Sequence, residues 1–179
     1  MSCLLTSGRI EPCKKSVGGL KAVYFIDYGT LGAVNYVDAV NSAEIDDFGG
    51  TPTAFKYDLK GTSSLEQTIT SSRENGTTFY DQTLNLTFKK LDKDTHDEIA
   101  LIAVARPHII VEDNNGNLMV AGLDHGADLN GGTIVTGAGM GDLSGYTLTL
   151  LAQEKKPANF LSQDLLASNV TVSTSVINP

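Results

Sequence analysis

Apolar patterning along the first third of the chain predicts β-strands. Residues 20–27, LKAVYFID, carry apolar side chains at both odd and even positions, as expected for a strand that is buried on both faces. Residues 33–40, AVNYVDAV, predict a weaker second strand, and in 53–60, TAFKYDLK, the large apolar side chains alternate onto one side. The acidic, glycine-rich residues 44–52 predict a turn region. The pattern indicates an antiparallel β domain.

The most informative stretch is 62–89, where an Asn-Gly pair separates two β-rich arms. Asn75-Gly76 predicts a two-residue type I′ turn, because that turn needs positive φ at both central positions. Glu74 then lies opposite Thr77, and each arm has about twelve residues, which is long for a strand. The stretch is therefore predicted to form a long β-hairpin.

In that register the hairpin has a dry face and a polar face. The dry face places Ile69 and Leu65 opposite Gln82 and Leu86. The polar face is rich in hydroxyl groups, carries three carboxylates if Glu74 at its tip is included, and has no basic side chain. Such a face suits either bulk solvent or an aqueous channel. Its candidate functional residues are Glu66, Thr68, Thr70, Ser72, Asp81, Thr83, Asn85 and Thr87.

One convincing helix is predicted, over residues 91–106, LDKDTHDEIALIAVAR. Asp92 or Asp94 is placed to cap its N-terminus, Arg106 falls in the last turn, and Pro107 ends it. Apolar side chains cover much of its circumference, so we expect it to pack on the sheet.

A second Asn-Gly pair, Asn115-Gly116, lies between the apolar segments 108–113, HIIVED, and 118–123, LMVAGL. This arrangement predicts a second hairpin.

Two further β segments are predicted at 133–136 and 145–152, and they complete the core. We therefore expect one mainly β domain over 1–156, an antiparallel β-sandwich or small barrel with one flanking α-helix and the long hairpin. Residues 1–19 are predicted to form an N-terminal arm of that domain. Residues 157–179 are predicted to be an extension with a short helix and a last extended piece, which docks on a neighbouring subunit.

Composition narrows the function. The chain has 179 residues, a net charge of −8 and a sequence pI near 4.7, which argues against a surface that grips nucleic acid or anionic lipid. It has no run of eighteen apolar residues and no signal-peptide pattern at its N-terminus, so we expect no membrane association and synthesis in the cytoplasm. Cys3 and Cys13 then favour two reduced thiols, with a disulfide left open.

The glycine cluster, the histidines and one oxygen-rich loop are the candidates for chemistry. The cluster Gly137–Gly145, GAGMGDLSG, precedes a strand and contains no Gly-Lys-Ser/Thr, so it does not fit a phosphate-binding loop. The three histidines, His96, His108 and His125, have no accompanying nucleophile motif such as G-x-S-x-G. The oxygen-rich loop 113–117 does not fit an EF-hand frame, because glycine falls at its fourth position. The sequence therefore predicts no enzyme activity, no cofactor and no metal site.

The order of elements resembles the core of tail tube proteins of long-tailed bacteriophages. The resemblance covers roughly residues 53–152 and rests on the hairpin ending in TLNLTFKKL, the helix DKDTHDEIALIAVA, the hairpin RPHIIVEDNNGNLMVAG and the closing GGTIVTGAGMGDLSGYTLTL. Tube proteins of type VI secretion systems share this architecture.

The resemblance implies a structural virion protein of the phage tail, made in the cytoplasm of a host bacterium. Members of the family form hexameric rings that stack into a tube together with other tail proteins, and DNA passes through the lumen without specific binding. The family has no active site to transfer. A sliding polyanion favours lumen walls that do not attract phosphate, so the eight candidate residues of the hairpin's polar face are predicted to face the lumen.

The sequence also fits functions other than a tail tube. The same β architecture suits another virion protein, such as a tail terminator, a head–tail connector or a capsid decoration protein. A carbohydrate- or host-binding module is a further alternative, although the chain has no tryptophan and its aromatic residues fall largely in the predicted strands.

Overall fold

A computed structural model of the chain describes residues 8–11, 13–38 and 43–174. These residues form twelve strands and two helices in two sheets, which confirms the predicted mainly β class. The elements are β1 (Leu20–Ile26), β2 (Val34–Tyr36), β3 (Glu44–Phe48), β4 (Thr53–Asp58), β5 (Ser64–Ser72), β6 (Thr77–Lys89), α1 (Lys93–Ile102), β7 (His108–Asp113), β8 (Leu118–Ala121), β9 (Asp128–Val135), β10 (Gly145–Glu154), β11 (Asn159–Leu161), α2 (Gln163–Ser168) and β12 (Thr171–Ser173).

The two sheets differ in size and in the way their faces are covered. The large sheet has the order β12-β4-β1-β7-β8-β11-β3-β2, and the small sheet has the order β5-β6-β10-β9. The inner face of the small sheet packs on the large sheet in one hydrophobic core, to which α1 contributes Ile99 and Ile102. A second core lies on the other face of the large sheet and includes side chains of both β1 and β3, although three strands separate them. The large sheet therefore curves round on itself.

β1 lies between the two cores. Its odd-numbered residues Val23 and Phe25 belong to the core against the small sheet, and its even-numbered residues Tyr24 and Ile26 belong to the second core. This position explains why the segment is continuously apolar, and it confirms the prediction that the strand is buried on both faces.

The composition of residues 44–52 predicted a turn region, but only part of it is a turn. Residues 44–48 form β3, with Ile45 and Phe48 fully buried. The register against β2 shifts between Asn35 and Tyr36, so the strand has a bulge at Asp46. Because the bulge separates the two buried side chains by three residues, the strand lacks the alternation that would have identified it.

α1 begins as predicted but ends early. The Asp92 carboxylate accepts a hydrogen bond from the N–H of Thr95 at 3.3 Å and caps the helix. The helix ends at Ile102, its last buried residue, so the prediction that Arg106 lies in the last turn is wrong. Arg106 instead forms an exposed ion pair with Asp128 at 3.1 Å.

Residues 157–174 contain the predicted short helix, α2, and the last extended piece, β12, and they pair with the chain's own large sheet; docking on a neighbouring subunit stays a prediction. β11 pairs with β8 and β3, and β12 pairs with β4, so the segment adds two strands to the large sheet of its own chain. Its contacts with β3 and β4 are the two parallel pairings in the described topology. Between the two strands α2 buries Leu165.

The N-terminal arm lies on the surface, and every described residue between 8 and 19 is exposed. Among the described residues it is tied to the β7–β8 hairpin, where the N–H of Val17 donates to Asn115 Oδ1 at 2.9 Å and Asn115 Nδ2 donates to the carbonyl of Val17 at 2.8 Å. Cys13 is exposed, and Cys3 lies outside the described residues, so the choice between thiols and a disulfide stays a prediction.

Candidate functional site

The eight candidate residues lie on one face of the small sheet, as the alternation predicted. Within β5 and β6 they alternate with residues on the opposite side of the sheet, of which Leu84 and Leu86 are about 1% exposed. Near the hairpin tip that opposite side is not buried, because Ile69 is 63% exposed. None of the eight is buried.

The turn and the cross-strand partners differ from the prediction. Ser72 pairs with Thr77, so four residues connect the strands instead of the two of a type I′ turn. Every partner is displaced by two positions: Leu65 pairs with Leu84, and Ile69 with Tyr80. A displacement of two preserves the side of the sheet on which each side chain lies, and for this reason the predicted faces survive the wrong turn.

The polar surface continues onto β10 and β9, which sequence reasoning did not include. Thr149 Oγ1 donates to Asn85 Oδ1 at 2.9 Å, and Gln153 Nε2 donates to Asp81 Oδ1 at 2.8 Å. The hydroxyl groups of Thr133 and Thr147 lie 2.6 Å apart. We call the whole surface the polar face; its polar members are the eight candidates together with Ser64, Thr133, Thr147, Thr149 and Gln153, and two apolar residues, Phe79 opposite Thr70 and Leu151 opposite Thr83, share the same side.

Charge is sparse on the polar face: two carboxylates lie near its middle, and Asp128, the partner of Arg106, lies on the same side at the start of β9. Glu66 pairs with Thr83, and Asp81 pairs with Thr68, so the two carboxylates are on adjacent strands. One basic residue, Lys89, shares this side of β6, at the end of the strand. The prediction that the polar face has no basic side chain is therefore wrong at the C-terminal end of β6.

The glycine loop satisfies its own amides. Asp142 Oδ2 accepts hydrogen bonds from the N–H of Gly139 at 2.7 Å and of Ala138 at 3.0 Å. These two bonds hold the pKa of the Asp142 carboxyl below its usual range. The amides that a bound phosphate would need are therefore already paired with a carboxylate of the same loop.

Two of the histidines are held by structural contacts. His108 is buried, and its Nε2 accepts a hydrogen bond from the N–H of Gly29 at 3.1 Å. With Nε2 as acceptor, Nδ1 carries the proton and donates to the carbonyl of Gly122 at 2.7 Å. Burial lowers the pKa of His108, although this hydrogen bond to Gly122 and nearby acidic groups oppose the shift. His125 Nδ1 lies 3.1 Å from Oε2 of Glu154.

The oxygen-rich loop after β7 is organised by Asp113. Its Oδ1 accepts from the N–H of Asn117 at 2.7 Å and of Asn115 at 2.9 Å. Burial acts to raise the pKa of Asp113, but the hydrogen bonds from Asn117 and Asn115 outweigh it and lower the pKa. Among the residues that the structure describes, no group of three or more histidine, cysteine, aspartate or glutamate side chains is arranged to hold a metal ion.

An apolar groove runs between α1 and the edge strand β9, and we call it the α1/β9 groove. It consists of two adjoining hollows of about 530 and 340 Å³ that share His96 and Ile134. Ile134 pairs with the buried Tyr146 and lies on the same side of the sheet, yet it is 52% exposed. The groove is thus an uncovered part of the inner face of β9. Its other lining residues include Ala100 and Ala103 on α1 and Gly131 on β9.

Comparison of the chain with protein families, curated proteins and solved structures found no match. Within residues 8–174, as far as they are described, neither helix has the length and apolar character that crossing a membrane requires.

Proposed function

We propose that this chain is a structural virion protein whose hexameric rings stack into a phage tail tube, with the polar face of the small sheet lining the lumen. Other tail proteins are its partners, and DNA passes along the polar face without specific binding. The proposal rests on the resemblance in sequence together with the geometry of this sheet.

The observation that carries the proposal is a four-stranded sheet with one face towards the core and the other lined mainly by hydroxyl and amide groups, with Phe79 and Leu151 as the large apolar exceptions. Threonine, serine and asparagine present neutral polar groups to water, and Glu66 and Asp81 repel phosphate. Basic side chains, which make binding to DNA tight and salt-dependent, are absent from the middle of this face as the structure describes it. Such a wall favours sliding over binding.

The edges of the small sheet suit placement beside neighbours. β5 and β9 each pair with one strand, so each leaves a row of backbone groups without a strand partner in the described chain. β5 has nine residues and contains no proline, whereas exposed edges are normally short or interrupted. An edge of this length is expected to be covered by another subunit.

Electron microscopy of the purified full-length chain in negative stain tests the assembly. We expect rings with an open centre, or tubes made of stacked rings. A chain that stays monomeric at all concentrations would contradict the proposal and favour a binding module.

Chemical labelling tests the position of the polar face. In a Cys3→Ser/Cys13→Ser background, Thr68→Cys places one thiol on the polar face, and Asp46→Cys places one on the exposed bulge of β3 as a matched control. A maleimide attached to a large polymer should label both variants in the dissociated chain but only Asp46→Cys in the assembled tube. Equal labelling of Thr68→Cys before and after assembly would place the polar face outside the lumen.

A further inference from the structure

The α1/β9 groove is a surface that the folded chain leaves open beside a strand edge. Its floor is apolar, with Ile134 half exposed and Ile99 at its base, and Ala100 and Ala103 leave room above it. α1 has ten residues and is therefore about 15 Å long. An extended segment of four or five residues spans that length, at roughly 3.3 Å a residue.

The chain contains a segment that fits this groove in length and polarity. Ile10, which is 92% exposed, is the large apolar side chain of the described N-terminal arm before Val17. The sequence from Ile10 to Lys14 has five residues, the number that an extended segment needs to span the groove. Burial removes the apolar surface of an exposed isoleucine from water and so favours docking, and the groove offers the apolar side chains of Ile134 and Leu129 as contacts.

Charge complementarity favours the same occupant. The arm residues 8–19 carry three basic side chains, Arg9, Lys14 and Lys15, against one acidic side chain. The segment 92–98, at the N-terminal end of the groove, carries four acidic side chains against one basic one. Attraction between two partly exposed charged segments steers their association and weakens with salt.

We propose that the N-terminal arm of a second copy of this chain lies in the α1/β9 groove, with Ile10 against Ile134 and the basic side chains beside residues 92–98. This inference rests on the proposed function in one respect, because it requires that copies of the chain associate with one another. The arm then ties one subunit to the next through a contact separate from the polar face. The arm of the same chain is the competing occupant.

Disulfide trapping tests the contact, because the arm already contains Cys13. In a full-length Cys3→Ser background, Ala100→Cys places a thiol in the groove, and Leu101→Cys places one on the next residue of α1, which does not line the groove. Under mild oxidation, Ala100→Cys should give disulfide-linked dimers and larger species on a non-reducing gel, and Leu101→Cys should not.

Each other outcome of the trapping overturns the contact. A disulfide within one chain, seen as a monomer with both thiols lost, would place the arm on its own groove. Equal cross-linking of Leu101→Cys, or none in either variant, would leave no specific docking. Rings without the Ala100→Cys cross-link would overturn this inference alone, whereas cross-linked dimers without rings would overturn the tube and keep the arm contact.

Charge reversal provides an independent readout. We expect Lys14→Glu/Lys15→Glu to lower the cross-linking yield of Ala100→Cys, and added salt to lower the yield of the unreversed chain. The matched control Lys60→Glu/Lys155→Glu changes the net charge equally, away from the arm, and should leave the yield unchanged. Equal losses from both double variants would show a general charge effect and contradict the arm contact.

Discussion

At Gly145 the chain has no room for a side chain. A Cβ atom built there would lie 2.0 Å from the carbonyl oxygen of Phe88 and 3.1 Å from Cα of Lys89. Gly145 pairs with Lys89 at the start of β10, so both obstacles are backbone atoms of the adjacent strand β6. The last glycine of the loop is therefore required by close strand packing and not by a ligand.

Gly145→Ala is expected to lower the free energy of unfolding by at least about 2 kcal/mol, since the backbone of β6 must move to admit the methyl group. Gly141→Ala is the matched control, because nothing lies within 4 Å of the added Cβ. Urea unfolding of the two variants measures the difference. Equal stabilities would show that the approach of β6 to Gly145 is looser than described.

His108 gives the stability of the fold a dependence on pH. Burial lowers its pKa from the ordinary value of 6.5, so the unfolded chain takes up a proton more readily than the folded chain. The free energy of unfolding should therefore be constant above about pH 7 and fall as the pH drops through 6.5 towards the lower folded pKa. The slope of this fall is at most about 1.4 kcal/mol per pH unit for one proton.

His108→Asn should remove this fall, whatever its effect on stability at neutral pH. His96→Asn replaces an exposed histidine of α1, so the fall in the free energy of unfolding at low pH should remain in this variant. Urea unfolding at pH 7.5 and 5.5 provides the comparison. A pH dependence that is unchanged in His108→Asn would assign the effect to another group.

At the scale of the elements, alternation was enough to predict which side chains share a face. The polar side chains of β5 and β6 lie together because parity along a strand does not depend on the turn. The turn itself was not predictable in this way, since Asn75-Gly76 occupies the end of a four-residue connection. Thr147 and Thr149 alternate visibly in GYTLTL, but only the pairing of β10 with β6 brings them to the polar face.

The geometry of the connection distinguishes Asn75 from Gly76, its last two residues. Gly76 has a φ of +62°, whereas among the described residues other than glycine only Lys90 has a positive φ. Gly76→Ala should therefore cost about 1 kcal/mol, and Asn75→Ala less than about 0.5 kcal/mol. Thermal unfolding tests this difference. If Asn75→Ala lowers the free energy of unfolding as much as Gly76→Ala does, the result would favour the type I′ turn that the sequence predicted.

The short helix and last extended piece of the C-terminal segment were predictable, but its pairing with the large sheet was not, because its strands are three residues long and it follows Lys155-Lys156-Pro157, which has the composition of a boundary. Short strands carry too few positions to show alternation. The buried side chains Leu161, Leu165 and Val170 nevertheless belong to the second core. Asn169 also donates a hydrogen bond to the Asp47 carboxylate, which ties the end of α2 to β3.

Leu165→Ala is expected to lower the free energy of unfolding by about 2–4 kcal/mol, because Leu165 is 2% exposed and its removal leaves a cavity. Leu101→Ala, at a residue that is 60% exposed, should cost less than about 0.5 kcal/mol. The effect of Leu165→Ala should not depend on protein concentration. Destabilisation seen only at concentrations that support assembly would return the segment to a role between subunits.

For the whole molecule, the two cores assign different roles to the two sheets. The large sheet is covered on both faces over much of its area, whereas the small sheet has one face in the core and the polar face exposed. A face of this kind, bounded by two open edges, is suited to a wall built from repeated copies. The bulge in β3, the extra strands of the C-terminal segment and the α1/β9 groove depend on long-range packing, which the local pattern of the sequence does not contain.

The most direct measurement is a cryo-electron microscopy reconstruction of the assembled chain at a resolution that places side chains. The account predicts stacked six-fold rings in which Thr68, Thr83 and Thr149 face the open centre. Rings in which these side chains lie on the outer wall would contradict it.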